Sequence, residues 1–181
     1  MRAMPTVFTV GHSTRSLDEL VEILRAHGVA GIADVRRFAG SRRLPHFNAE
    51  NLAAELPTLG IIYLACPLLG GRRKPDAGTV NTGWRNESFR AYADYMQTPA
   101  FLEGLDALMD RAEAVPLAMM CAEAVPWRCH RSLIADALVV RGWTVLDVMS
   151  RTKVTPHKLT NFARVEGTRI TYPGDPDAAS A

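Results

Sequence analysis

The densest group of chemically reactive side chains lies in one short segment of the chain. Residues 121–132 read Cys-Ala-Glu-Ala-Val-Pro-Trp-Arg-Cys-His-Arg-Ser, after the apolar run 117–120 and before the amphipathic stretch 133–141. This pattern is typical of a turn between a strand and a helix. At such a position, backbone N–H groups and nearby arginines favour the thiolate form of a cysteine and lower its pKa. Cys121 is therefore a candidate nucleophile.

Other residues of this segment have types that could support a reactive thiol. Glu123 is a candidate general acid or base if burial raises its pKa, and His130 is a candidate proton carrier. Arg128 and Arg131, together with free backbone N–H groups, can hold an oxyanion or a phosphate. We therefore predict Cys121, Glu123 and His130 as catalytic residues. The alternative is that the thiols are small buried apolar groups and that the histidine only hydrogen-bonds the turn.

Five apolar runs predict the strands that would position this segment, at residues 7–10, 32–35, 61–64, 117–121 and 145–148. Helical spacing of apolar residues lies between these runs and begins after Ser16, Asn48 and Thr98, which are residue types that cap helices. Ser16 and Glu19 also have the spacing of a capping box. Residues 76–86 have no periodicity and predict either a functional loop or flap, or simple disorder.

Strands that alternate with helices predict a single α/β domain over residues 1–181. We expect a mostly parallel sheet of five to six strands with helices on both faces, a Rossmann-like three-layer arrangement. Residues 169–172 predict an edge strand, and residues 174–181 a loose tail. A distorted or incomplete barrel is the alternative, and it would place the same loops on one face.

Ligands of open parallel sheets bind beyond the carboxyl ends of the strands. We therefore predict that the loops after the strands converge and that Asp147 and His157 lie near the same edge. The predicted substrate-binding residues of these loops are His12, Ser13, Arg15, Asp34, Arg36, Arg37, Arg72, Arg128, Cys129 and Arg131.

Several common site types are not indicated by the spacing of these residues. No Gly-x-Gly-x-x-Gly follows the first strand and no Walker-type loop exists, so Asp34 does not predict a dinucleotide site. The segment Gly11-His-Ser-Thr-Arg15 lacks the second glycine of a nucleophile elbow. Cys121, Cys129 and His130 have the spacing Cys-x7-Cys-His, which differs from that of structural zinc sites. We predict no metal ligands, and no motif implies a cofactor.

The composition is that of an ordinary globular domain, with 181 residues, 48% hydrophobic and 22% charged. No apolar run approaches the ~20 residues that span a bilayer, and the first residues do not have the pattern of a signal peptide. Three cysteines form no disulfide framework, so we expect a cytoplasmic protein and no membrane partner. The net charge is only +2, but arginines cluster in residues 36–43 and basic residues in 72–74, which favours an anionic partner over simple solvation.

Several motifs together resemble those of the domain of unknown function 488 family. They are Val-Gly-His-Ser-Thr-Arg15, Asp34-Val-Arg-Arg37, Leu-Gly-Gly-Arg72, Met-Cys-Ala-Glu123, Cys129-His-Arg-Ser-Leu-Ile-Ala135 and the end Phe162 to Arg169 with Tyr172-Pro. The resemblance implies a soluble α/β domain with a site at these motifs, and it assigns no roles to their residues. A separate likeness to the phosphate loop of cysteine-dependent phosphatases and to the sulfur-carrying loop of rhodaneses is one of layout only. Six residues, three of them bulky, separate Cys121 from Arg128, whereas those phosphatases have five.

These observations lead to one main functional hypothesis and two alternatives. The main hypothesis is a cysteine-dependent hydrolase or transferase that acts on a phosphorylated or nucleotide-like anion. The first alternative is a nucleic-acid-binding or processing module, in which the arginine loops contact phosphates and Trp84 or Trp127 stacks a base. The second is a non-catalytic binding domain with structural thiols. The oligomeric state is left open.

Overall fold

The computed structural model describes residues 3–175 of the chain. The strands are β1 (Thr6–Gly11), β2 (Gly31–Asp34), β3 (Ile62–Ala65), β4 (Leu117–Cys121), β5 (Thr144–Val148), β6 (Val154–Pro156), β7 (Arg164–Glu166) and β8 (Arg169–Thr171). The helices are α1 (Leu17–Ala26), α2 (Ala49–Thr58), α3 (Glu87–Tyr95), α4 (Pro99–Ala114) and α5 (Arg131–Val139). Short 3-10 turns cover Pro45–Phe47, Pro67–Leu69 and Pro126–Arg128.

The main sheet has six strands in the order β3-β2-β4-β1-β5-β6. Its first five strands are parallel, and β6 runs antiparallel to β5. The predicted single α/β domain with a mostly parallel, Rossmann-like sheet is therefore confirmed. The sheet is open between the edge strands β3 and β6, so the barrel alternative is wrong.

The strand periodicity of two divides the apolar residues between the two faces of the sheet. Along β4, Met119 and Cys121 contribute to a core that also contains residues of α3, α4 and α5. Ala118 and Met120 contribute to the opposite core, with residues of α1 and α2. The register of β4 therefore places the Cys121 thiol on the α3 to α5 side of the sheet.

Local helix signals account for most of the observed helix ends. The Ser16 hydroxyl accepts a hydrogen bond from Glu19 N at 3.1 Å, as its capping spacing predicts. The Thr98 hydroxyl accepts from Phe101 N at the start of α4. Asn48 has the extended backbone of a cap, but its side chain accepts a hydrogen bond from Ser41 N instead. This side chain therefore organises the arginine-rich loop before α2 rather than the helix itself.

The last part of the chain differs from the sequence-based expectation. Residues 169–172 were expected to form an edge strand, but β8 pairs only with β7, in a separate two-stranded sheet. The sixth strand of the main sheet is β6 instead. Met149 N donates to Lys153 O at 2.9 Å, and this tight reversal returns the chain directly alongside β5. The hairpin of β5 and β6 thus forms the edge of the main sheet, because closing its short loop costs little conformational entropy.

The segment 76–86 is held by one buried carboxylate. Asp94 of α3 accepts hydrogen bonds from Asp76 N at 3.0 Å, from the Thr79 hydroxyl and from Asn81 Nδ2 at 2.7 Å. Asn81 is itself buried, and its Oδ1 accepts from Tyr172 N. The segment is thus tied to both α3 and the end of the chain.

Only the first two residues of the predicted tail 174–181 are described. Gly174 N donates to the Thr82 hydroxyl at 3.0 Å. Residues 176–181 lie outside the described residues. Within residues 3–175, no helix has the length and apolar character needed to cross a membrane.

Candidate active site

The loops after β1 and β4 meet at the carboxyl edge of the sheet. Gly11 and Cys121 are register partners at the ends of their strands. Beyond them, His12 N donates to Cys121 O at 2.9 Å and Ser13 N donates to Ala122 O at 3.0 Å. The backbone pairing of β1 and β4 thus continues into their loops.

Close packing fixes the start of the loop after β4. A Cβ atom at Gly11 would lie 1.7 Å from Glu123 O, so only glycine allows the loop to cross β1 this closely. The loop then forms the 3-10 turn Pro126–Arg128 and enters α5 at Arg131. The loop thereby brings Cys129 back to the end of β4, where both Cys129 and Cys121 line one pocket.

A pocket of about 350 Å³ opens at this edge of the sheet. Eight predicted site residues line it: Arg36, Arg37, Arg72, Cys121, Glu123, Arg128, Cys129 and His130. The lining also includes Phe38, Gly71, Ser88, Phe89, Tyr92 and Ala122, which the sequence did not indicate. Five predicted residues, His12, Ser13, Arg15, Asp34 and Arg131, do not line it.

Cys121 lies at the inner wall of the pocket, with only 3% of its surface exposed. Arg131 Nη1 donates to its Sγ at 2.7 Å, and Cys129 lines the same pocket. The neighbouring Cys129 thiol and the guanidinium outweigh the effect of burial and lower the pKa of Cys121 to about 7. Cys121 is thus the member of the pair that ionises first.

Arg131 is completely buried beneath the pocket rather than exposed to it. Its guanidinium donates to Glu123 O at 2.6 Å, to Ala124 O at 3.2 Å and to the Thr9 hydroxyl at 3.3 Å. Within residues 3–175, no carboxylate forms an ion pair with this guanidinium. Its donors shape the loop and stabilise the Cys121 sulfur, so the predicted substrate contact through Arg131 is not supported.

Cys129 is the protonated member of the thiol pair. It is 4% exposed, and burial together with the neighbouring Cys121 sulfur raises its pKa well above the usual value. Its Sγ accepts a hydrogen bond from Arg131 N at 3.4 Å and lies 3.6 Å from His130 Nδ1. The sequence predicts Cys129 as a binding residue, and the structure places it in the pocket lining as a buried, protonated thiol.

The His130 ring is held in one orientation. Its Nε2 lies 2.8 Å from Val35 O, a carbonyl that accepts a hydrogen bond from the Nε2–H tautomer of the neutral ring. Burial lowers the pKa of His130 to about 4, so the ring is neutral at pH 7. Its Nδ1 is therefore an unprotonated acceptor directed towards Cys129. The His130 ring thus contacts Cys129 and not Cys121.

Glu123 contributes to the pocket differently from the expectation. Its backbone carbonyl accepts from Arg131, whereas its side chain is exposed at the pocket wall. The general acid or base role depended on burial of this carboxylate, and that burial is absent.

Among the described residues, Arg36 is the pocket cation with the most hydrogen bonds. Asp34 binds its Nε at 2.8 Å and its Nη2 at 2.7 Å, and the Tyr63 hydroxyl donates to the same carboxylate. Arg36 Nη1 also lies 3.3 Å from His12 Nε2, whose ring stacks on Phe47. Asp34 and His12 therefore position the Arg36 guanidinium but do not themselves line the pocket.

Three further arginines surround the opening. Arg37 Nη1 donates to Arg72 O at 2.7 Å, which joins the loops after β2 and β3. The guanidinium groups of Arg37 and Arg72 lie 5.4 Å and 5.8 Å from the centre of the Phe38 ring, which is 62% exposed. Arg128 lies on the exposed side of the loop after β4. The rim therefore concentrates positive charge around the thiol pair.

Two residues of the first loop have other contacts. Arg15 donates to Gly11 O and, at 3.1 Å, to Met149 O, so it ties β1 to the end of β5. Ser13 has a φ of 50° and joins the loops through its backbone N–H. The structure does not bring these side chains to the pocket.

Half of the pocket residues that the sequence did not indicate come from α3, namely Ser88, Phe89 and Tyr92. Tyr92 is buried, its hydroxyl donates to Leu69 O, and its ring packs on His130 at 4.9 Å between centroids. No local pattern relates α3 to residues 121–132, because their contact depends on chain packing. The sequence does contain a signal for Phe38. It is an aromatic residue within a cluster of arginines, where an exposed ring is unusual.

A polar chain runs from Arg131 to the C-terminal segment. Thr9 accepts from Arg131 and donates to Asp147 at 2.6 Å. His157 lies between Asp147, at 3.7 Å, and the fully buried Asp136, at 2.7 Å. Burial alone would lower the pKa of His157, but hydrogen bonds to the two carboxylates raise it to about 9. Asp147 and His157 thus connect to Arg131 through Thr9 and do not line the pocket.

No cluster of three or more His, Cys, Asp or Glu side chains suited to a metal ion exists among residues 3–175. The fold and this site define an α/β domain with a cysteine pair in an arginine-rimmed pocket. The chain belongs to the family described as domain of unknown function DUF488, which matches residues 16–138. This match includes all the pocket residues but not the motif at residues 10–15 or the final segment. Comparison with curated proteins gave no match, and comparison with solved structures gave none either.

Proposed function

We propose that this protein is a cysteine-dependent hydrolase or transferase that acts on a small phosphorylated or nucleotide-like anion, with Cys121 as nucleophile. The observation that carries the proposal is the Cys121 sulfur, 2.7 Å from a buried guanidinium, in the wall of an arginine-rimmed pocket. A thiolate is the reactive form of cysteine, and here it is stabilised by a group that substrate does not need to displace.

The arginines of the rim would bind the anionic group of the substrate. Arg36 is held rigidly by Asp34, and Arg37, Arg72 and Arg128 lie around the opening. Guanidinium groups bind phosphate oxygens with two parallel hydrogen bonds, which also orient the ligand. The bound anion then presents its electrophilic atom to Cys121.

Thermal unfolding with phosphate, sulfate and mononucleotides at matched ionic strength tests this function. We expect a ligand at a hundredfold its dissociation constant to stabilise the protein by about 2.7 kcal/mol. Replacement Arg128→Ala should weaken binding roughly tenfold or more, since a charged hydrogen bond contributes about 1.5–3 kcal/mol. Arg151→Ala is the matched control, because Arg151 is exposed and pairs only with Glu22. Equal stabilisation of both variants would contradict binding in this pocket.

The turnover test uses Cys121→Ser with the ligand that stabilises the wild type. We expect binding to survive and product formation to disappear, because serine keeps the shape but not the thiolate. Hydrolysis or transfer that continues at the wild-type rate in Cys121→Ser would exclude Cys121 as nucleophile.

A nucleic-acid partner is a second candidate, favoured by two exposed aromatic rings near the arginines. Phe38 lies between Arg37 and Arg72, and Trp127, beside Arg128, is 65% exposed. Such rings can stack bases while arginines contact phosphates. Trp84 does not suit this role, because its ring packs against Phe89, Phe162 and Tyr172. Stabilisation by oligonucleotides alone, with a steep salt dependence, would favour this candidate.

A further inference from the structure

We propose that Cys121 and Cys129 form a redox pair, in which Cys121 attacks an electrophilic sulfur and Cys129 resolves the mixed disulfide. The proposal rests on the nucleophilic role of Cys121, but it does not depend on a phosphorylated substrate. Both thiols line the same pocket and both contact Arg131, Cys121 Sγ at 2.7 Å from Nη1 and Cys129 Sγ at 3.4 Å from the backbone N. In the numbering of the chain they are eight residues apart, and the turn between them returns the second thiol to the first.

The two sulfur atoms have different surroundings, which assigns their order of reaction. Arg131 Nη1 contacts the Cys121 sulfur at 2.7 Å, so Cys121 carries the negative charge first. Cys129 instead contacts a backbone N–H, that of Arg131 at 3.4 Å, and the imidazole of His130. A low-pKa attacking thiol paired with a higher-pKa second thiol is the usual arrangement of dithiol oxidoreductases.

The neutral His130 ring faces the Cys129 thiol. Its Nε2–H is committed to Val35 O, so Nδ1 has a free lone pair 3.6 Å from the Cys129 sulfur. Gly71 leaves room for this ring, because a Cβ atom there would lie 2.9 Å from Nδ1. The new thiolate would be stabilised by Arg131 N. Cys129 thus has a hydrogen-bond acceptor for its S–H group and a backbone donor for its thiolate.

The reaction balances in two exchange steps. The Cys121 thiolate attacks one sulfur of a small disulfide, forms a Cys121–S–S–R bond and releases the other half as a thiolate, RS⁻. Cys129 then attacks the Cys121 sulfur and its proton passes to the departing half, which leaves as RSH. The protein is oxidised to the Cys121–Cys129 disulfide, and the small disulfide is reduced to two thiols. An external dithiol reductant returns the protein to its starting state.

The rim of the pocket indicates what kind of disulfide would enter. Guanidinium groups of Arg36, Arg37, Arg72 and Arg128 favour a disulfide that bears carboxylates. Oxidised glutathione has this chemistry and is therefore the probe. A neutral disulfide such as oxidised 2-mercaptoethanol, at equal concentration, is the comparison that tests the contribution of charge.

The experiment uses the full chain with Cys66→Ser, so that only Cys121 and Cys129 remain as thiols. Cys66 lies outside the pocket lining, and burial raises its pKa to about 11, so its removal leaves the pair intact. After exposure to oxidised glutathione at pH 7 and acid quenching, we expect both thiols to be lost without a retained glutathione adduct. Excess dithiothreitol should restore both thiols.

Two further variants in the same background separate the steps. Adding Cys129→Ser should trap one glutathione on Cys121, because no resolving thiol remains. Adding Cys121→Ser should slow the reaction at least ~tenfold, since little thiolate forms on Cys129 at pH 7. The neutral disulfide should react more slowly than oxidised glutathione with the parent protein.

The outcomes of these tests are independent of the ligand-binding test. A stable glutathione adduct and one free thiol in the Cys66→Ser protein would overturn the resolving role of Cys129. Absence of reaction would overturn the redox pair altogether, and this measurement needs no substitution in the pocket. Disulfide formation without stabilisation by phosphates or nucleotides would support the redox pair and exclude the proposed phosphorylated substrate.

Discussion

A buried guanidinium controls the chemistry of the site at the scale of single residues. Burial of an unpaired charge is costly, and a buried cation needs a nearby anion or many hydrogen bonds. Arg131 has three carbonyl or hydroxyl acceptors, and the Cys121 sulfur is its fourth partner. The same contact therefore satisfies the arginine and favours the thiolate. This reciprocity makes the Cys121 thiolate a property of the folded protein rather than of the local sequence.

The rate of alkylation by iodoacetamide measures this thiolate directly. In a Cys66→Ser background, we expect the rate at Cys121 to reach half its maximum near pH 7, in line with its pKa of about 7. Cys129→Ala removes the thiol hydrogen bond and should move this midpoint upwards. Cys129→Ser is the control, because its hydroxyl can still donate. Identical midpoints in the alanine variant and its parent would show that Cys129 does not stabilise the thiolate.

At the scale of elements, the contact between the end of β1 and the loop after β4 builds the site. Gly11 faces the backbone of Glu123 and Ala124, where a side chain has no room. The Glu123 carbonyl is at the same time an acceptor for Arg131. A displacement of this loop therefore reaches the guanidinium that supports Cys121.

The substitution Gly11→Ala tests this coupling. Because its Cβ atom would overlap Glu123 O, we expect a loss of about 1–3 kcal/mol in the free energy of unfolding. The alkylation midpoint of Cys121 should rise as well, since the loop must move. Gly40→Ala is the matched control, because nothing lies within 4 Å of its new Cβ atom, and it should change stability by less than about 0.5 kcal/mol. Urea unfolding measures the stability of both variants. Equal stability of Gly11→Ala and Gly40→Ala would contradict the close contact between Gly11 and the loop after β4.

At the scale of the whole molecule, one buried carboxylate holds the C-terminal segment on the domain. Asp136 of α5 accepts hydrogen bonds from His157, Thr160 and Tyr172. These three residues lie beyond β5, whereas α5 begins at the reactive loop. The segment outside the family match thus closes over the helix that carries Arg131.

The pH dependence of stability tests this attachment. Because the folded-state pKa of His157 is raised from 6.5 to about 9, its contribution is complete below pH 6.5 and is lost as the pH rises through 9. A shift of this size corresponds to a contribution on the order of 3 kcal/mol. We expect the stability difference between wild type and His157→Gln to be largest at pH 6 and to shrink towards pH 9.

Comparison with the wild type at each pH is necessary because Cys121 has the opposite dependence. Its lowered pKa stabilises the folded protein increasingly between pH 7 and 9. This contribution is present in both proteins and cancels in the difference. Thr160→Val removes a hydrogen bond to the same carboxylate without a titrating group, so its stability difference should change little with pH. A difference for His157→Gln that is constant from pH 6 to 9 would contradict a charged His157 in the fold.

Local sequence patterns by themselves determined the class of the fold. Apolar runs of strand length, helical spacing between them and the caps at Ser16 and Thr98 specify where elements form, with strand ends correct to one residue. Alternation of strands and helices then requires parallel pairing, which gathers the loops at one edge. The placement of Cys121 at that edge follows from these rules alone.

Only the tertiary structure decided which way the loop side chains point. Arg36 and Arg131 are both arginines of site loops, yet one lines the pocket and the other lies beneath it. Arg36 pairs with the nearby Asp34 but also donates to Phe47 O, and Arg131 donates to Thr9, which is 122 residues away in the chain. Strand periodicity sets the face of a residue within a sheet, but a loop has no such period. Long-range contacts therefore separate the exposed binding groups from the buried groups that support them.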